Sequence, residues 1–342
     1  KRQMPVSGSA YSYSYATLGE GIAWFIGWCL VLEYLFAGSS VAVAWSAYLI
    51  SFITGTLGLP FPTELTNAPL AWINGEFVAS GNILNLPAVL IVAAVSGLCY
   101  VGITQSAFIN AIVVAIKIAV ICLFVGFGAA YIDPANWHPF IPENTAPGVF
   151  GWSGVFRAAS IVFFAYIGFD AVSTSAGETK DPQRNMPIGI LGSLAVCTII
   201  YIIVCAVLTG LMPYPQLGTA KPVATALEAH PQLTWLKTAV EIGAIAGLSS
   251  VVLVMLMAQP RIFYTMAKDG LMPKLFGKVH PKFHTPYVGT VIVGVVAASL
   301  AGLIPLSVLG ELVSMGTLLA FATVCAGVMV LRFTKPELEL SL

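Results

Sequence analysis

Runs of predominantly apolar residues, each near the length of a membrane-spanning helix, recur along the chain at roughly 21–53, 86–103, 107–131, 153–177, 188–211, 238–264, 287–304 and 309–331. A spanning helix needs about 20 such residues. In lipid a spanning backbone must satisfy its own polar groups, which leaves helices and closed barrels, and runs this long read as helices. The expected fold is all-α: a polytopic membrane bundle of about eight spans, forming one domain over residues 1–342. Composition agrees, because 58% of residues are hydrophobic and 9% charged, against roughly 25% charged in a soluble domain. Turn-rich stretches at Gly55–Asn85, Tyr131–Trp152, Glu178–Pro187, Met212–Trp235 and Ala267–Pro286 read as loops, with room for short surface helices.

Charge fixes the orientation. With a cytoplasmic start and alternating spans, one side collects Lys1, Arg2, Lys180, Arg184, Arg261, Lys268, Lys274, Lys278, Lys282, Arg332 and Lys335. The other receives Arg157, Lys221 and Lys237, with Lys117 inside a span, so the bias follows the positive-inside rule.

Several function classes drop out. Net charge is zero and no basic run flanks an apolar face, so no nucleic-acid partner is expected. The six cysteines stand singly in apolar runs without a CxxC pair, and Pro281 between His280 and His284 spoils a helical histidine pair, so no metal site is expected. No catalytic triad, HExxH or phosphate-binding loop is present, so the chain reads as neither an enzyme nor an ATP-driven pump, and no cofactor is expected.

The polar residues inside the spans carry the chemistry. In the fourth span, small residues, aromatics, Gly168 and Asp170 fall together near the middle. That is the composition of a discontinuous helix whose broken turn frees backbone carbonyls for an ammonium group. Asp170 then caps the second half-helix; the alternative is close packing at Gly168 with Asp170 paired inside the bundle. Lys117 lies about ten residues into the third span, roughly 15 Å deep. A lysine near mid-bilayer costs about 2.5–3.5 kcal/mol, so a reversible proton carrier is a natural use for it, and a fixed structural cation is the alternative. Glu33 in the first span is either a cavity or relay acid or an interhelical pin. Ser249 and Ser250 offer hydroxyls in the sixth span, although such serines usually bond back to their own backbone.

The segments Met4-Pro5-Val6-Ser7-Gly8-Ser9-Ala10-Tyr11-Ser12-Tyr13, Phe163-Phe164-Ala165-Tyr166-Ile167-Gly168-Phe169-Asp170 and Gly177-Glu178-Thr179-Lys180-Asp181-Pro182-Gln183-Arg184-Asn185-Met186-Pro187 resemble the amino acid, polyamine and organocation transporter superfamily. Pro260 to Pro273 and Glu311 to Leu318 resemble its cationic amino acid transporter branch. The resemblance implies a leucine-transporter-type fold of five-plus-five inverted repeats. The spans here correspond to helices three to ten, so the first helix and most of the second are expected to be missing, and with them the half of the site that holds a substrate carboxylate.

By match to the family's sixth helix, carbonyls of Phe164, Ala165 and Ile167 accept from the substrate ammonium, with Tyr166 and Gly168 shaping the break. By match to its fifth, Lys117 stands where sodium-dependent relatives hold a sodium ion, facing Ser249 or Ser250. The implied function is secondary active, proton-coupled symport of L-amino acids, cationic, small neutral such as alanine, or both, by alternating access in the plasma membrane. Proton-independent exchange and non-transporting amino-acid sensing are the alternatives. The expected partners are the amino acid, a coupling proton and membrane lipid; a small subunit or oligomer is not legible.

Overall fold

The structure, a computed structural model, describes residues 11, 14, 15, 18–73, 75–102, 107–168 and 181–334. The opening motif at 4–10 and Asp170 lie outside the described residues.

Its helices in chain order are α1 (Glu20–Ser51), α2 (Leu86–Val101), α3 (Ala107–Gly128), α4 (Gly151–Val162), α5 (Pro182–Leu211), the short α6 (Pro222–Glu228), α7 (Thr234–Lys268), α8 (Tyr287–Leu303) and α9 (Leu306–Thr334). Among the described residues, five stretches are long and apolar enough to cross a membrane: Glu20–Thr56, Ala111–Tyr131, Arg184–Leu211, Pro231–Lys268 and Leu306–Gly327. The chain is a multi-pass membrane protein. The remaining three of the eight apolar runs are two short helices and one run that leaves helical geometry. α2 and α8 are apolar but only 16 and 17 residues long, or about 24–26 Å at helical rise, at the short end for crossing a bilayer core. The run at 153–177 is not one helix, since α4 stops at Val162.

Two loop assignments also change. The stretch Glu178–Pro187 is helical from Pro182, because proline at the first helical positions gives up an N–H that has no partner there anyway. The stretch Gly55–Asn85 holds a small hairpin, β1 (Leu70–Ile73) and β2 (Glu76–Ala79). Trp72 faces Phe77 across it, rings 4.6 Å apart and edge-on. Residues Asn74-Gly75 between the strands are a strong sequence signal for a two-residue hairpin link.

α1 and α7 form the centre, packed on each other, while α9, α8, α2 and α3 surround them. Burial follows that plan: 78% of α1's apolar window is buried against 6% of α5's, so α5 stands at the periphery. The central helices meet through small and hydroxylated residues. Ser39 donates to the carbonyls of Leu35 and Ala297, and Ser46 donates to Asn85, which caps α2. Between apolar helices in lipid, close packing and such hydrogen bonds replace the hydrophobic drive that works in water.

Candidate functional site

The fourth apolar run departs from helix at its middle. Ile161, Val162, Phe163 and Phe164 are β-branched or aromatic, all indifferent helix formers. After Val162 the chain tightens into a 3-10 turn at Phe163–Tyr166, Ile167 turns extended (φ −58°, ψ 135°), and Gly168 takes φ 113°, a value that suits glycine. The chain therefore leaves helical geometry over Phe163–Gly168, where the sequence places a break.

The interrupted segment is braced from two sides. On α5, Tyr201 Oη donates to the carbonyl of Ala165 at 2.7 Å, and the Tyr166 hydroxyl shares a 3.1 Å hydrogen bond with Thr198 Oγ1. The Tyr166 and Tyr201 rings pack edge-on at 5.5 Å. On α9, Ser314 Oγ donates to the carbonyl of Ile161 at 3.0 Å, and Phe163 packs against Phe321. One and a half turns above the break, Arg157 Nη2 meets Glu311 Oε1 of α9 at 2.8 Å. Phe164, partly buried, packs against the core cluster that α1 and α7 share.

The expectation of free carbonyls therefore needs qualification. The Phe164 carbonyl accepts from the Ile167 N–H at 3.2 Å, and that of Ala165 from Tyr201. Each oxygen keeps a second lone pair, so a further donor can still be accepted.

Lys117 lies on the α3–α7 seam. Its stem runs over Gly247, where an added Cβ would stand 2.6 Å from Lys117 Cε, and one turn away Gly243 receives Val120. Gly243 and Gly247 form a small-xxx-small step that lets α3 approach α7. Lys117 Nζ donates to Ser250 Oγ at 3.1 Å, and Ser250 in turn donates to the carbonyl of Gly247. The same lysine lines a cavity of about 330 Å³ whose walls include Tyr48, Phe124, Val204, Val240 and Leu248.

The two serines divide. Ser249 turns away from the lysine to accept from Trp45 Nε1 of α1 at 2.9 Å. Glu33 is fully buried in α1, where α9 comes close enough that a Cβ on Gly316 would lie 3.5 Å from the Glu33 nitrogen. Tyr201, Thr198, Ser314 and Gly247 were not singled out from the sequence. The i, i+3 spacing of Thr198 and Tyr201 in an otherwise apolar helix is a signal that could have found the first two.

A family model described as amino acid permease matches residues 2–341. The chain is 47% identical over 336 residues to the branched-chain amino acid permease of Bacillus subtilis (strain 168), covering 98% of this chain and 69% of that protein. It is 46% identical over 338 residues to a methylthioribose transporter of the same organism, covering 99% and 70%. It is 36% identical over 334 residues to the vacuolar cationic amino acid transporter 4 of Arabidopsis thaliana, covering 97% of this chain and 54% of that one.

Proposed function

Because this chain belongs to the amino acid permease family, we propose that it is a secondary active transporter that binds an L-amino acid at the break Phe163–Gly168 and exposes it alternately to each side of the membrane. The observation that carries this reading is the departure from helix at Phe163–Gly168, a turn whose Ala165 carbonyl is held by Tyr201 of α5, just after Ser314 of α9 takes that of Ile161. Such breaks near mid-membrane let backbone dipoles replace water around a substrate. Carbonyls of Phe164, Ala165 and Ile167 take the substrate ammonium, and Tyr166 and Gly168 set the shape of the turn. The five-plus-five arrangement, a single transporter domain and a plasma-membrane location belong to the same proposal.

The substrate side chain we assign is neutral and aliphatic. Phe164, Tyr166, Ile167 and Tyr201 around the turn carry no charge, and a relative at 47% identity is named for branched-chain amino acids. The resemblance to the cationic branch keeps arginine as the competing substrate.

Lys117 is the coupling group in this reading, its ammonium held by Ser250 in the seam between α3 and α7. Coupling requires that a proton bind one access state more tightly than the other. The test is uptake of labelled alanine, leucine and arginine into liposomes holding the full-length protein, with and without an inward proton gradient, for wild type and Lys117→Ala. Gradient-stimulated uptake lost in the variant supports symport. Uptake indifferent to the gradient, with exchange intact, makes Lys117 a structural cation and the protein a facilitator. Binding without flux makes it a sensor.

A further inference from the structure

Three outer cations, Arg157, Lys221 and Lys237, all sit in ion pairs, with Glu311, Glu228 and Glu241 as partners. The inner end of α7 and the loop after it differ. Arg261, Lys268, Lys274, Lys278 and Lys282 have no carboxylate partner among the described residues, and the one acid between them, Asp269, accepts from the Tyr11 hydroxyl at 2.9 Å. Arg261 lines a cavity of about 230 Å³ between the end of α2 (Cys99, Gly102), α7 and the turn Phe283–Pro286.

The turn that closes this cavity is built around His280. Its Nδ1 accepts from the N–H groups of Lys282 and Phe283, each at 3.2 Å, while its ring stacks on Phe283 at 4.8 Å and meets Tyr100 edge-on. His280 N–H donates to the Thr285 carbonyl, His284 N–H donates to that of His280, and Thr285 Oγ1 ties the turn to the Tyr100 carbonyl of α2. His284 is thereby held at φ 57°, a left-handed conformation uncommon for a histidine, with its residue on the cavity wall.

The hydroxyls of Thr285 and Thr290 already donate to carbonyls. Beside the weak Cys99 thiol, the donors left to the cavity are the Arg261 guanidinium, with its planar fork of N–H groups, and the His284 imidazole.

We propose that this inner cavity binds a phosphate group, with Arg261 as its principal ligand and His284 as a second donor. Guanidinium suits a phosphate by paired N–H···O bonds, and basic pockets between spanning helices on the inner face are placed to take anionic headgroups. The source is an anionic phospholipid at headgroup depth; free inorganic phosphate shares the chemistry.

The experiment uses purified full-length protein and follows thermal unfolding and lipid retention by native mass spectrometry. Phosphatidylglycerol, phosphatidylcholine and inorganic phosphate are added separately to wild type, Arg261→Gln, His284→Asn and the outlying control Lys274→Gln. Asparagine tolerates the left-handed conformation, so the second variant keeps the turn while removing the imidazole. We expect phosphatidylglycerol to bind in preference to phosphatidylcholine, and Arg261→Gln to weaken it about tenfold, the order of one charged hydrogen-bonded contact. His284→Asn weakens it less, and Lys274→Gln leaves it unchanged. Stabilisation by inorganic phosphate alone, lost in Arg261→Gln, supports the site with a soluble ligand. Equal losses in Arg261→Gln and Lys274→Gln, or none in either, overturn it, since only diffuse charge would then be at work.

Discussion

The Tyr201 hydroxyl of α5 donates to the Ala165 carbonyl at 2.7 Å, at the turn where the fourth apolar run stops being a helix. In an unbroken helix that oxygen would accept the N–H four residues on. Here a side chain from another helix takes that part, so the geometry of the turn depends on α5. Tyr201→Phe keeps the ring against Tyr166 and removes the tie. Net hydrogen bonds are worth roughly 0.5–1.5 kcal/mol, so the half-saturation concentration should rise about two- to tenfold with little change in maximal rate. Initial-rate uptake measures both, and a lowered half-saturation value would show that the hydroxyl competes with the substrate instead of aiming the carbonyl.

Ser249 and Ser250 make a paired test of the lysine's setting. Only Ser250 accepts from Lys117, while Ser249 belongs to Trp45. Ser250→Ala should reduce gradient-driven uptake several-fold, and Ser249→Ala should leave its gradient dependence intact. Gly247→Ala should weaken gradient dependence less than losing the lysine, because the new methyl would sit 2.6 Å from Lys117 Cε and displace the flexible end of that side chain from Ser250. Uptake at matched and opposed pH separates these variants from ones that merely fold less well, which would lose both alike.

The division between the legible and the hidden follows from how local each signal is. The break was legible because its cause is written in adjacent residues, a β-branched and aromatic stretch ending in Gly168. Lys117 stood out as the sole charge in its apolar run. Adjacent serines on a helix point about 100° apart, so choosing between Ser249 and Ser250 requires knowing which face of α7 meets α3. The Thr198–Tyr201 pair could have been noticed, but what it holds is settled only once the turn is placed beside α5. Apolar content locates the eight runs but not the residue at which the fourth leaves the helix, since the stop at Val162 is a backbone event.

The Arg157–Glu311 pair couples α4 to α9 before the break. Both side chains are well exposed, and exposed pairs contribute about 0–1 kcal/mol, so little effect on melting is expected. An effect on rate is expected instead, because the contact joins the helix that leads into the turn to α9, which also holds the Ile161 carbonyl. Arg157→Glu and Glu311→Arg should each slow uptake two- to fivefold through like-charge repulsion. The double exchange should recover most of the loss. A double variant as slow as the product of the singles would mean that the pair is incidental.

Glu228 at the outer end of α6 gives a pH dependence with a definite sign. Burial pushes its carboxyl up, but hydrogen bonds from Lys221 and Lys237 outweigh this and hold it below its ordinary 4.5. Lys221 also reaches Ser51 at the end of α1, and Lys237 lies 3.7 Å from buried Glu241, so the carboxylate joins α6 to both central helices. A folded-state value below the unfolded one means that the group's contribution is complete above about pH 4.5 and is lost as pH falls through the lower folded value. Melting temperature should therefore hold level from pH 7 down to about 5 and decline below. Glu228→Gln should start lower and lose less on acidification, so the two curves converge. Parallel curves would assign the acid sensitivity to other carboxylates and leave the Lys221–Glu228–Lys237 cluster as a surface ornament of α6.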